Sequence, residues 1–188
     1  RMQATLVVVG SAALPLLFWL SAAAGSLVLL RRGMNDAFGI LIWALLPAVT
    51  WWVLGDPSIL LIMVGTLLLA QVLRASGSWT RTLLASVVLG VVFALVLGAT
   101  SGELIEALAD AVRTALPQFI EQAKVPAEQL AGLQDVLIPT LTGLLASSLQ
   151  AACVLSLVLA RYWQAMLYNP GGFGREFRSV RLHPAVAL

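Results

Sequence analysis

Two groups of side chains in this sequence have the types and spacing to hold a small molecule. Trp51, Trp52 and Asp56 cluster at the end of one apolar run. Aromatic faces beside a carboxylate suit a cationic or ring-containing ligand. The same residues also read as an interfacial aromatic belt with a turn aspartate. Thr140, Gly143, Ser147 and Gln150 recur at helical spacing in a later apolar run. They could hydrogen-bond a polar ligand, or cross-link helices as bundles in lipid do. The candidate ligand-binding residues are therefore Trp51, Trp52, Asp56, Ser147 and Gln150.

Other chemistry finds little support. His183 is the single histidine and Cys153 the single cysteine. A metal centre, a cofactor and an internal disulfide are not expected. Neither HExxH, GxSxG nor a phosphate-binding lysine loop occurs, so the expectation is a protein that is not an enzyme. No charged side chain falls in the middle of an expected span, whereas proton relays and ion-coupled carriers need one there. Transport by this chain would need a partner to supply energy.

The elements that position these residues follow from composition. The chain has 188 residues, 60% of them hydrophobic and 11% charged. Soluble domains carry about 25% charged residues, so lipid must cover part of this surface. The run from Thr82 to Ala99 is charge-free and long enough to cross a membrane. Ser86, Gly90, Ala94 and Gly98 line one face of it, a helix-packing stripe of small residues. Further spans are expected at 37–54, 59–73 and 139–160, the last extending amphipathically to Tyr168. Asn35 or Asp36 can cap the 37–54 helix. Residues 4–30 form either one long helix bent at Pro15 or a pair of short helices reversing there.

Residues 101–137 differ. Leu104, Ile105, Leu108, Val112, Leu116, Phe119 and Ile120 share a helical face opposite Glu103, Glu106, Asp110 and Arg113. Pro117 is expected to break this insert, and Pro126 to start a further short helix through Val136. The insert reads as a layer on the membrane surface or a cap on the bundle. Asn169-Pro170-Gly171-Gly172 should stop the last helix. In the tail, Phe173, Phe177 and Val180 oppose Arg175, Arg178 and Arg181, a pattern suited to an anionic leaflet or a partner. Nucleic-acid binding is not expected.

Arg31, Arg32, Arg74, Arg81, Arg161, Arg175, Arg178 and Arg181 fall on one side of these spans. Arg1 joins them in the paired-helix reading. Most carboxylates fall opposite. Basic loops stay inside, which places 101–137 outside a bacterial inner membrane and the tail in the cytoplasm. Trp79 and Trp163 fall at the inner interface as belt residues.

The stretches RRGMNDAFG (31–39) and ARYWQAMLYNPGGFGREFRSVRL (160–182), with the outer insert between them, resemble the YybS-like family of bacterial membrane proteins. The Phe-x-x-x-Arg-Leu segment from Phe177 to Leu182 is the most telling match. The resemblance implies kinship with the substrate-binding membrane subunits of energy-coupling-factor vitamin transporters. Those have six helices, the first short, and bind ligand from outside. Their first-helix Ala-x-x-x-Ala docking element is not matched here, since Val8 follows Ala4 at that spacing.

The resulting expectation is an all-α integral membrane protein. It has a bundle of six transmembrane helices, or five if 4–30 is one helix, over residues 1–168. An amphipathic insert lies outside, and a basic tail at 169–188 faces the cytoplasm. Its expected partners are the lipid bilayer, a small-molecule ligand and energising transporter subunits. A membrane interaction or scaffold protein is the alternative.

Overall fold

The computed structural model describes residues 18–123, 128–178 and 180, with side chains described outside 116–135. The alternatives for 4–30 turn on residues 4–17, and Arg181 belongs to the tail; both lie outside the described residues. Within these limits the chain is helical throughout, with no strand. The helices are α1 (Phe18–Arg32), α2 (Met34–Val53), α3 (Ser58–Ser76), α4 (Trp79–Thr100), α5 (Gly102–Ala123), α6 (Glu128–Tyr168) and α7 (Gly172–Arg178). Among the described residues four segments are long and apolar enough to cross a membrane: α2, α3, α4 and the Val136–Tyr168 part of α6.

The turns are short, and each has a local cause. Gly33 (φ 85°) separates α1 from α2 and is itself the N-cap. The expected cap at Asn35 or Asp36 is therefore corrected: no side chain caps α2, and Asp36 lies in its first turn. There a carboxylate still opposes the positive helix end. Gly55 (φ 102°) folds back so that its N–H reaches the Trp52 carbonyl, while the Asp56 N–H reaches Trp51. Asp56 then accepts the Ser58 N–H at 2.9 Å and opens α3. Only Gly77 and Ser78 separate α3 from α4, because Gly77 (φ 60°) ends α3 and Ser78 caps α4.

α1 is the inner helix, packed on α3, α6 and α2. Its small residues Ser21, Ala22, Ala23, Gly25 and Ser26 are buried. Small side chains allow the close helix approach that replaces hydrophobic driving force in lipid. Between α3, α4 and α6, Gly65 plays the same part. A Cβ added to it would lie 2.7 Å from the Phe93 ring and 2.9 Å from Cys153 Sγ. Leu29, Met63, Leu69, Leu97 and Leu157 complete the core. The outer face of α4 is as apolar as its inner one, with Val87, Val88, Val91, Val92 and Leu95 all exposed. A helix apolar all round requires an apolar surrounding.

Two expectations about prolines are corrected. α5 runs through Pro117 to Ala123 without a break. Proline frees the carbonyl four residues back, here that of exposed Arg113, and water can bond it there. Pro126 lies outside the described residues, and the short helix expected through Val136 is from Glu128 onward part of α6, a helix of 41 residues that contains Pro139. α5 packs on α6 and on α4, with Ile105 and Ala109 buried, while Glu103, Glu106 and Asp110 are exposed. Asp110 pairs with Arg113 at 2.7 Å.

Candidate functional site

The first candidate group stands at the α2–α3 turn. Trp51 is half-buried against the core and Trp52 is exposed. Asp56 is engaged by the Ser58 N–H. α2 packs on α1 and α3. The second group stands on α6, which packs on α4. Ser147 is exposed and donates to the Gly143 carbonyl at 2.8 Å. Gln150 turns inward, and its Nε2 donates to Ser86 Oγ at 3.3 Å. Ser86 Oγ in turn donates to the Leu83 carbonyl at 2.7 Å.

The small-residue stripe on α4 meets this amide. Ser86 and Gly90 are buried, Ala94 is half-buried and Gly98 is exposed with open space beside it. A Cβ on Gly90 would collide with the Gln150 amide. Gly90 thus makes room for one polar cross-link between two helices.

A third, more polar cluster lies at the opposite end of the bundle from Asp56, where α1, α3 and α6 end and α4 begins. Arg161 donates through Nε to Glu176 Oε2 at 2.9 Å and through Nη2 to Glu176 Oε1, a fork on a carboxylate. Its Nη1 donates to Gln164 Oε1 at 2.6 Å. The Arg161 guanidinium holds the Glu176 carboxyl below its usual range, against the effect of partial burial. Arg74 Nη1 donates to the Leu29 carbonyl at 2.8 Å, satisfying the end of α1. Arg31 lies over the Tyr168 ring at 4.1 Å.

Trp79 stands at the centre of this end. It was expected in an interfacial belt but is 5% exposed, because α7 covers it. Phe173 and Phe177 meet its ring edge-on, with centroids at 6.4 and 5.9 Å, and Tyr162 meets Phe173 at 6.0 Å. Arg175 and Arg178 are exposed, and Arg178 Nε donates to the Gly174 carbonyl at 3.0 Å. A cavity of about 200 Å³ remains between Arg74, Trp79, Arg161, Gln164 and Glu176. A second, of about 150 Å³, lies by Arg31, Arg32 and Tyr168. Guanidinium groups on a small cavity suit a carboxylate or phosphate guest.

Sequence reasoning missed this cluster. Its one signal is that Glu176 is the single acidic residue in an otherwise basic tail. Among the described residues no group of three histidine, cysteine or acidic side chains could hold a metal ion. No protein-family model, curated protein or solved structure matches this chain.

Proposed function

We propose that this chain is a multi-pass protein of a bacterial cytoplasmic membrane and the small-molecule-binding component of an uptake system energised by partner subunits. The observation that carries the reading is the gathering of Arg31, Arg74, Arg81, Arg161, Arg175 and Arg178 at one end of a bundle with apolar outer faces. Under this reading the arginine end, with α7, faces the cytoplasm, as the positive-inside bias favours. Energising subunits would dock there, on exposed arginines that an acidic partner surface complements. The resemblance to the YybS-like family supports the same reading.

Spanning helices whose described ionisable groups stand near their ends carry no proton relay of their own, so energy comes from the partner. Vitamins and related small molecules, screened by thermal shift in detergent, test the binding part. Stabilisation by one of them, with ATPase subunits co-purifying in mild detergent, is the expected result.

One observation favours a scaffold instead. Gln150 and Asp56 are both engaged inside the protein, by Ser86 and Ser58. Under that reading no small molecule stabilises the chain, and other membrane proteins co-purify.

A further inference from the structure

The polar cavity at the arginine end carries more positive charge than its own carboxylate neutralises. Arg161 directs its fork at Glu176 and its Nη1 at Gln164 Oε1. Arg74 gives one N–H to the neutral Leu29 carbonyl, and among the described residues no carboxylate pairs with it. Two guanidiniums and one carboxylate on the wall, +2 and −1, leave a net charge of +1. The other polar groups there are donors. Gln164 uses its amide oxygen on Arg161, which leaves its NH2 to donate. The Trp79 indole N–H is buried and makes no full hydrogen bond. After the Arg161 hydrogen bonds, it too helps to hold the Glu176 carboxyl below its ordinary range, so it stands close to that charge. A cavity walled by donors, with one cation uncompensated, calls for a guest that accepts hydrogen bonds and is negatively charged.

Size and direction narrow the guest. At about 200 Å³ the cavity is smaller than the roughly 300–1,000 Å³ of drug-sized ligand sites. Its donors come from three helices: Arg74 on α3, Trp79 on α4, Arg161 and Gln164 on α6. A planar carboxylate meets one fork, as Glu176 does. A tetrahedral phosphate presents oxygens in several directions and suits donors that come from several helices. Leu30 and Gly77, also on the wall, stand at the end of α1 and in the α3–α4 turn. The cavity is therefore level with the helix ends, and exposed Arg74 leaves one wall open for entry. A phosphate can arrive there from water or from a lipid headgroup.

We propose that this cavity is a phosphate-binding site, in which Arg74 supplies the charge, and Gln164 and Trp79 further hydrogen bonds, beside the Arg161–Glu176 pair. Glu176 is the negative neighbour that limits its affinity. The site stands whether or not the chain takes part in uptake.

The test uses the purified chain in a non-ionic detergent and follows thermal unfolding as sodium phosphate replaces sodium chloride at constant ionic strength and neutral pH. Saturable stabilisation by phosphate is the expected result. Arg74→Gln, which can still reach the Leu29 carbonyl, lowers the affinity severalfold. Gln164→Glu brings the net charge of the cavity to zero and does the same. Glu176→Gln removes the negative neighbour and raises the affinity severalfold. Arg81→Gln, which changes an exposed arginine off the cavity wall, leaves it unchanged. Maleimide resistance of buried Cys153 checks that each variant is folded. Short-chain phosphatidylglycerol, titrated in the same way, separates the sources. Tighter binding than phosphate identifies a headgroup and weaker binding the free anion, and Arg74→Gln weakens both. No stabilisation by either probe overturns the proposal, as does an affinity that Glu176→Gln leaves unchanged. Stabilisation that does not saturate, or that Arg81→Gln weakens as much as Arg74→Gln, marks an adventitious ion only and overturns it too.

Discussion

Gly90 on α4 and Gln150 on α6 form a single contact: the missing side chain of one is the space that the amide of the other fills. From there the amide reaches Ser86, one turn back on the same stripe. Gly90→Ala forces the end of Gln150 to swing away and gives up that hydrogen bond, worth about 0.5–1.5 kcal/mol. In a Gln150→Ala background the same substitution costs little. Thermal unfolding of the four variants in one detergent measures the coupling; equal costs in both backgrounds would refute it.

Gly65 makes a harder case. Its neighbours are the Phe93 ring, Leu89 and Cys153, all held in the core. Gly65→Ala separates α3 from α4 and α6 and costs about 1–3 kcal/mol. It should lower the melting temperature more than Gly90→Ala does. The reverse order would mean that the α3 interface is the looser of the two.

The Arg161–Glu176 pair makes the docking of α7 depend on pH. Glu176 has a lowered pKa in the folded chain, chiefly through the Arg161 hydrogen bonds. A group lowered in this way contributes stability above its ordinary value, and the contribution is lost as pH falls through the folded one. Docking of α7 is therefore steady near neutrality and loosens only below the ordinary glutamate range. Tryptophan fluorescence of buried Trp79, taken as the difference from Trp79→Phe, reports the release. Glu176→Gln shifts its baseline at neutral pH and removes the acid step. An acid step of full size in Glu176→Gln would assign it to another carboxylate.

The orientation is measurable with one cysteine at a time. Cys153 is buried and stays unlabelled by maleimide until the protein unfolds. With Cys153→Ala as background, Asp110→Cys on exposed α5 should react with an impermeant maleimide in intact spheroplasts. Arg81→Cys should react only after permeabilisation. Opposite patterns would invert the assigned sidedness.

The spans and their stops were legible because each follows from a local rule. Apolar runs of bilayer length mark α2, α3 and α4, and Gly55-Asp56-Pro57 and Asn169-Pro170-Gly171-Gly172 bend the chain where they stand. The prolines misled for the same reason. Pro117 breaks a helix in isolation, yet proline is tolerated where water can bond the freed carbonyl, as at exposed Arg113. The polar sites were less legible because they join distant residues. Nothing local in Ser86 or Gln150 says that they meet, and a stripe of small residues and a ligand-like amide read as two separate features. Glu176 pairs with Arg161 across a turn, and the arginines around it hide it in any count of charge. Trp79 read as belt because α7, which covers it, is short and basic.

α6 joins the arginine cluster to the α5 contact as one stiff beam. From Pro139 to Tyr168 it has no internal break, and at about 1.5 Å per residue that stretch is longer than the hydrocarbon core of a bilayer is thick. A beam of this kind works as a lever. A few degrees of tilt imposed where α5 leans on it become ångströms of displacement at Arg161, where α7 is clasped.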